Sequence, residues 1–284
     1  MSRTPHYSWK LIIASGVLFV LILATWMAPI LTSFDPIEVR MDQVLQPPGS
    51  GHLFGTDELG RDVFTRLLYG GRVSLLVGAA AMAVSIIIGI IYGSLSGIAG
   101  GIVDRVMMRF VDACLSIPSL ILMIGLQLLL SQGLMTIVFV ISITSWMPVA
   151  RMIRTEIMAM KREVFIQAST VIGASPLQLL IRHMLPQCSP TITVLAISGM
   201  SHAILAEATL SFLGIGIPPH KPSWGNMLMS AQSHLLAGAW WQALFPGICI
   251  TLTLLAISFL GDELQERLAR PQFRQGGKYE RSSS

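Results

Sequence analysis

Long uncharged runs alternate with short charged stretches along this chain, and the lengths of those runs predict helices that cross a bilayer. A crossing needs about 20 apolar residues. Residues 11–31 hold no charge, and none occurs between Arg72 and Asp104, which predicts a second span near 74–95. Residues 115–150 are also uncharged. One helix over that stretch would be about 54 Å long, too much for a single crossing. Ser131-Gln132-Gly133 reads as a tight turn near its middle, so the stretch divides into a third and a fourth span. Two more runs cover residues 191–213 and 241–260, the latter with a kink expected at Pro246-Gly247. The reading is all-α and polytopic, with six transmembrane helices; the third is the least regular, because Asp112 and Pro118 crowd its start.

The first run follows Arg3 and Lys10, as a signal peptide would, but it exceeds the roughly 7–15 residues of a signal core and lacks a small-x-small cleavage site, so it reads as an anchor. Composition agrees with membrane residence: 12% of the 284 residues are charged and 53% are hydrophobic. A soluble domain carries about twice that charge, and disorder requires low hydrophobicity. Three scattered cysteines, Cys114, Cys188 and Cys249, do not make a disulfide framework. With six spans, the two sides carry fourteen and five Lys and Arg residues, which places both termini and the loop 151–190 in the cytoplasm. The net charge of +4 is then membrane topology and no nucleic-acid footprint.

Within the second span Ala81, Ser85, Gly89, Gly93 and Gly97 form a small-residue stripe, either an intramolecular packing seam or a subunit interface. In the fifth, His202 and Glu207 lie about 140° apart on a helix and do not form an obvious pair. Each either makes a structural hydrogen bond or lines a pathway; a metal site lacks a third ligand at helical spacing. Between residues 167 and 186, Gly173 stops one helix. Ser175, Pro176 and Gln178 start another with an N-cap, a first-turn proline and a capping box, and Pro186 is expected to end it. Leu177, Leu180, Ile181 and Met184 recur at helical spacing on this bent knob, some to pack on the membrane domain and some to enter a partner's groove.

Gln167-Ala168-Ser169, Gly173 and His183-Met184-Leu185-Pro186 resemble the EAA loop of permease subunits in bacterial binding-protein-dependent ABC importers. Three further segments resemble the dipeptide/oligopeptide/nickel branch. They are Gly55-Thr56-Asp57-Glu58-Leu59-Gly60-Arg61-Asp62, Glu207-Ala208-Thr209-Leu210-Ser211-Phe212-Leu213-Gly214, and Pro222-Ser223-Trp224-Gly225-Asn226. The short loop before the first of these is similar to the C-type subunit, which pairs with a B-type permease. Gln167 stands where the family favours Glu, Ser169 where it favours Ala, and Arg270 where relatives carry Asp.

The resemblance implies a type I ABC importer permease fold in the bacterial inner membrane. It divides the chain into an anchor and external segment (1–73), a permease domain (74–265) with its EAA loop at about 154–190, and a cytoplasmic tail (266–284). It implies a second permease, two cytoplasmic ATPase subunits and an extracytoplasmic binding protein as partners. The ATPase-coupling residues would be Gln167, Ala168, Ser169, Gly173, Ser175, Pro176, His183, Leu185 and Pro186. Cargo would be peptides, with nickel or metallophores as the alternative. This chain has no P-loop, so ATP and Mg²⁺ would be bound by the partners, and it needs no cofactor or metal of its own. Residues 218–240, with Trp224 and Asn226, are either an external gate and binding-protein contact or an interfacial aromatic belt. A membrane enzyme is disfavoured by the absence of H-E-x-x-H and G-x-S-x-G. An ion-coupled secondary transporter is disfavoured by the lack of a convincing internal repeat.

Overall fold

The computed structural model describes the backbone of residues 9–279, and the side chains of Trp9 and residues 11–267. Arg3 and the contact expected of Arg270 lie outside the described side chains. Helix α1 (Trp9–Trp26) is followed after Met27 by a single turn, α2 (Ala28–Leu31). An irregular segment leads to α3 (Val63–Ala99), the longest apolar helix, which runs unbroken through the boundary expected at 73. Asp62 caps it, accepting from the Thr65 amide and hydroxyl at 2.7 Å each. Then follow α4 (Gly101–Leu115), α5 (Ser119–Leu129) and α6 (Leu134–Met160). The knob comprises α7 (Val164–Val171), α8 (Pro176–Leu179), a π-turn over Leu180–Met184, and α9 (Leu185–Gln187). Helices α10 (Ser189–Phe212), α11 (Trp224–Ala231) and α12 (Trp241–Tyr279) complete the chain, and no strand occurs among the described residues.

Four helices are long and apolar enough to cross a membrane: α3, α6, α10 and α12 through Arg267. Helices α4 and α5 make a fifth only as a pair, bent by 86° at Ser116–Pro118. Against the six expected, the run at 11–31 does not make one helix of spanning length: α1 stops at Trp26 and α2 adds a single turn to Leu31. The third span is therefore not a helix beginning at 115. Helix α5 alone has 11 residues, about 16 Å, and it is completed by α4, whose charges hid it from a search for apolar runs. The expected division at 131–133 is present, as an extended break and not a tight turn: Gly133 precedes α6, and Gln132 donates to the Gly214 carbonyl at 2.9 Å. Helix α12 continues through Pro246-Gly247 without a break.

The small-residue stripe of α3 is filled by α6 of the same chain. A Cβ on Gly89 would meet Val149 at 2.6 Å, one on Gly93 the Ala150 carbonyl oxygen at 2.4 Å, and one on Gly97 Ile157 at 2.9 Å. Ser85 donates to the Ser142 carbonyl and Ser142 returns a bond to that of Ala81, so the two backbones are stitched where they meet. Helix α10 packs on the other flank of α3, and α12 and α1 close that side. At the knob end Lys161 donates to the Gly97 and Ile98 carbonyls, capping α3.

Candidate functional site

Gly173 takes φ +96°, a left-handed conformation that lets α7 stop and α8 start with four residues between them. Ser175 then accepts from the Gln178 amide at 3.3 Å, the first half of the capping box. Pro186 does not end the second helix. The π-turn ahead of it moves the carbonyls out of the proline's way, Leu185 bonding back to Leu180, and the coil runs on to Gln187. Because of this bend the knob has two faces. Ile166, Leu179, Leu180, Met184 and Cys188 are buried with Ile153 and Ile157 of α6. Burial pushes the Cys188 thiol up to about 12, so it stays protonated and unreactive. On the other face Val171 and Ile172 are each 87% exposed, Leu177 64% and Ile181 59%. The four apolar positions at helical spacing thus divide, Leu180 and Met184 inward, Leu177 and Ile181 outward.

Gln167 and Ala168 are exposed on α7, and Gln167 donates to the Arg162 carbonyl at 3.2 Å. Ser169 bonds back to the Phe165 carbonyl. His183 and Leu185 are half-buried and Pro186 is exposed, so these three flank the ridge of exposed apolar side chains without forming it.

His202 and Glu207 part company. His202 is exposed and lines an open concavity of about 580 Å³ between α3, α5, α6 and α10, with Ser119, Thr144, Ser145 and Thr209 also on its wall. Glu207 is 0% exposed on the opposite side of α10. Ser211 donates to it at 2.8 Å, and the hydroxyls of Ser74 and Ser223 surround it. It joins α10 to α3 and α11 and lines no concavity.

Trp224 and Asn226 are also internal. The Trp224 indole donates to the Leu67 carbonyl at 3.0 Å and packs against Gly71. Asn226 Nδ2 donates to the carbonyls of Ile217, Pro218 and Lys221, clasping that loop. Neither forms an aromatic belt or a free external surface. Trp241 is buried and donates to the Thr56 carbonyl, which leaves Trp240 as the exposed indole of the expected belt. The outer loop is exposed at residues 219–221 and over most of 232–240, where Leu235 and Leu236 are the exposed large apolar side chains beside Trp240.

Sequence reasoning missed a charged cluster on α4 and α6. Asp104 accepts from Arg154 through both carboxylate oxygens, at 2.8 and 2.5 Å, and from Ser96. Asp112 pairs with Arg151 at 2.5 Å. The signal was the four-residue recurrence of charge on α4, which reads as the end of a span only until the helix is seen to continue.

Residues 85–273 match the family described as binding-protein-dependent transport system inner membrane component. The chain is 38% identical over 259 residues to the dipeptide transport system permease protein DppC of Bacillus subtilis (strain 168), covering 90% of this chain and 81% of that protein. It is likewise 38% identical over 265 residues to the di/tripeptide transport system permease protein DppC of Pseudomonas aeruginosa (strain UCBPP-PA14), covering 89% of this chain and 86% of that one.

Proposed function

The chain belongs to the family of binding-protein-dependent transport system inner membrane components, and from that membership we propose that it is the C-type permease subunit of a peptide importer. It forms a translocation path with a second, B-type permease. An extracytoplasmic binding protein delivers the cargo, and two cytoplasmic ATPase subunits bind the ATP and Mg²⁺. The knob end and both termini face the cytoplasm. Peptide cargo is supported by the names of the two relatives.

The observation that carries the coupling role is the two-faced knob. Its inner face is continuous with the α3–α6 core, so force applied to it reaches the spans without being absorbed by a loop. Its outer face exposes four large apolar side chains around a left-handed turn, the kind of ridge that fills a hydrophobic groove. ATPase closure against Val171, Ile172, Leu177 and Ile181 would rock the permease halves about their interface. On the outer side the tip of residues 232–240 is the surface offered to the binding protein.

Replacing Gly173 with Val tests this. A Cβ there meets no other atom, so the damage is confined to the turn, which a β-branched residue cannot adopt at φ +96°. ATPase subunits are expected to be lost from the purified complex while the variant still inserts in the membrane. Unchanged ATPase recovery and unchanged peptide uptake would refute the coupling role.

A further inference from the structure

The groove between α4–α5 and α6 carries two concavities in series. The first, of about 580 Å³, is lined mainly by apolar and hydroxyl side chains, with Leu115 and Pro148 toward the knob end. The second, of about 540 Å³, begins one turn further on and is lined by Asp104, Arg105, Arg109, Asp112 and Arg154. At the boundary stands the Asp112–Arg151 pair, one helical turn beyond Leu115 on α4 and one beyond Pro148 on α6.

This pair lies on two spans, α6 and the bent α4–α5 pair. Its neighbour Ala150 packs on Gly93, six residues before the end of α3, which is about 9 Å inside that helix end. Ionisable groups on a span face a protein interior or a watery path, and these two are half exposed, at 53% and 52%. Arg154–Asp104, one turn nearer the knob on α6 and about two on α4, makes two bonds and holds Ser96 as well, with its carboxylate only 9% exposed. That pair is fastened into the fold. Asp112 and Arg151 share one bond across an open groove, and Arg105 and Arg109 beside them have no ion-pair partner among the described residues.

The geometry points to Asp112 and Arg151 as a specificity site on the transport path, one that exchanges its internal ion pair for cargo bearing a free ammonium and a free carboxylate. The inference rests on the permease reading above and adds the chemistry the path selects. The cargo carboxylate takes Arg151, with Arg109 near, and the cargo ammonium takes Asp112. Such a zwitterion replaces both halves of the pair, so neither charge is left without a partner; a singly charged solute leaves one of them unpaired in the groove. A divalent cation would find Asp112 but also Arg105, Arg109 and Arg151.

The test uses the complete complex with its binding protein in proteoliposomes, measuring uptake of labelled alanyl-alanine, aspartyl-alanine and lysyl-alanine together with ATP hydrolysis. Asp112→Asn and Arg151→Gln are each expected to lower alanyl-alanine uptake per ATP at least tenfold. Asp112→Asn is expected to shift the aspartyl-alanine to lysyl-alanine ratio upward and Arg151→Gln downward, each about tenfold, a divergence that a mere structural tie would not produce. The reversal Asp112→Arg with Arg151→Asp is expected to recover alanyl-alanine uptake to within threefold. Arg151→Lys, which keeps the charge, is expected to stay within threefold throughout. Ratios that do not move, or that move together, overturn the site, as does a reversal no better than the single variants. An unaltered complex that hydrolyses ATP in response to the binding protein but does not carry alanyl-alanine also overturns it. Absence of any binding-protein-stimulated hydrolysis in the unaltered complex refutes instead the permease reading, and this site with it.

Discussion

The outer segment before α3 and the knob after α6 are both irregular connections between spans, yet they use their side chains in opposite ways. In the outer segment polar groups turn inward. Asp57 accepts from the Leu59 and Arg61 amides and pairs with Arg61 at 2.7 Å and Arg66 at 3.4 Å, all three side chains being buried. His52 bridges Asp62 and Gln43. Gly60, at φ +69°, packs so closely that a Cβ would lie 1.7 Å from the Arg40 carbonyl oxygen. In the knob one set of apolar groups turns outward, and a Cβ on Gly173 would meet no other atom. Both connections leave apolar side chains in solvent, Met41 and Leu53 in one, Val171 and Ile172 in the other; what separates them is that only the outer segment closes a buried charge network of its own.

Asp57 is the residue on which the outer segment depends most. Asp57→Asn keeps the shape of the side chain but removes the only carboxylate among the described residues within 4 Å of the buried Arg66 guanidinium and leaves Arg61 with Glu58 alone, at 3.3 Å. Removing one partner of such a network costs about 3–5 kcal/mol. The expected outcome is a large fall in thermal unfolding temperature in detergent, with the outer segment becoming protease-sensitive first. An unfolding temperature within a degree of the parent would mean that the network contributes little.

A smaller effect separates the two faces of the knob. Leu179→Ala removes a buried side chain and is expected to cost about 2–3 kcal/mol, the low end for leucine because its cavity lies close to the surface. Ile172→Ser changes an exposed position and should stay within about 0.5 kcal/mol. Recovery of the ATPase subunits should show the reverse order, with Ile172→Ser losing them while remaining as stable as the parent. If both variants lose stability and partners in parallel, the knob is an ordinary folded element and its outer face carries no interface.

What could be read from residues alone follows a physical rule. Local devices were legible: the division at Ser131-Gln132-Gly133, the Ser175–Pro176 start, the left-handed stop at Gly173 and the stripe from Ala81 to Gly97 each depend on neighbours within a helical turn or two. Features decided by a partner far along the chain were not. Asp104 and Asp112 look like the end of a span until Arg154 and Arg151, about forty to fifty residues later, arrive to pair them. Trp224 looks like a membrane-interface indole until Leu67 accepts its proton inside the protein. The angle between His202 and Glu207 was readable, but which of the two faces the groove depends on where α3 and α11 pack. Pro186 was misjudged for a different reason, since a π-turn can absorb a proline that an α-helix would reject.

Gln167 sharpens the comparison at its smallest scale. It stands where relatives of the family resemblance favour glutamate, and its amide donates to the Arg162 carbonyl at the start of the knob. A glutamate at pH 7 has no proton to donate there, so Gln167→Glu replaces that bond with a carboxylate facing a carbonyl oxygen. The position is exposed, water can serve both groups, and the expected loss is about 0.5 kcal/mol. The charge lies on the outer face of α7, beside the apolar ridge and not within it, so ATPase recovery should be unchanged at low salt. A gain in recovery that disappears as salt is raised would show that the partner's groove carries a cation at this point, and that this chain binds its ATPase without using it.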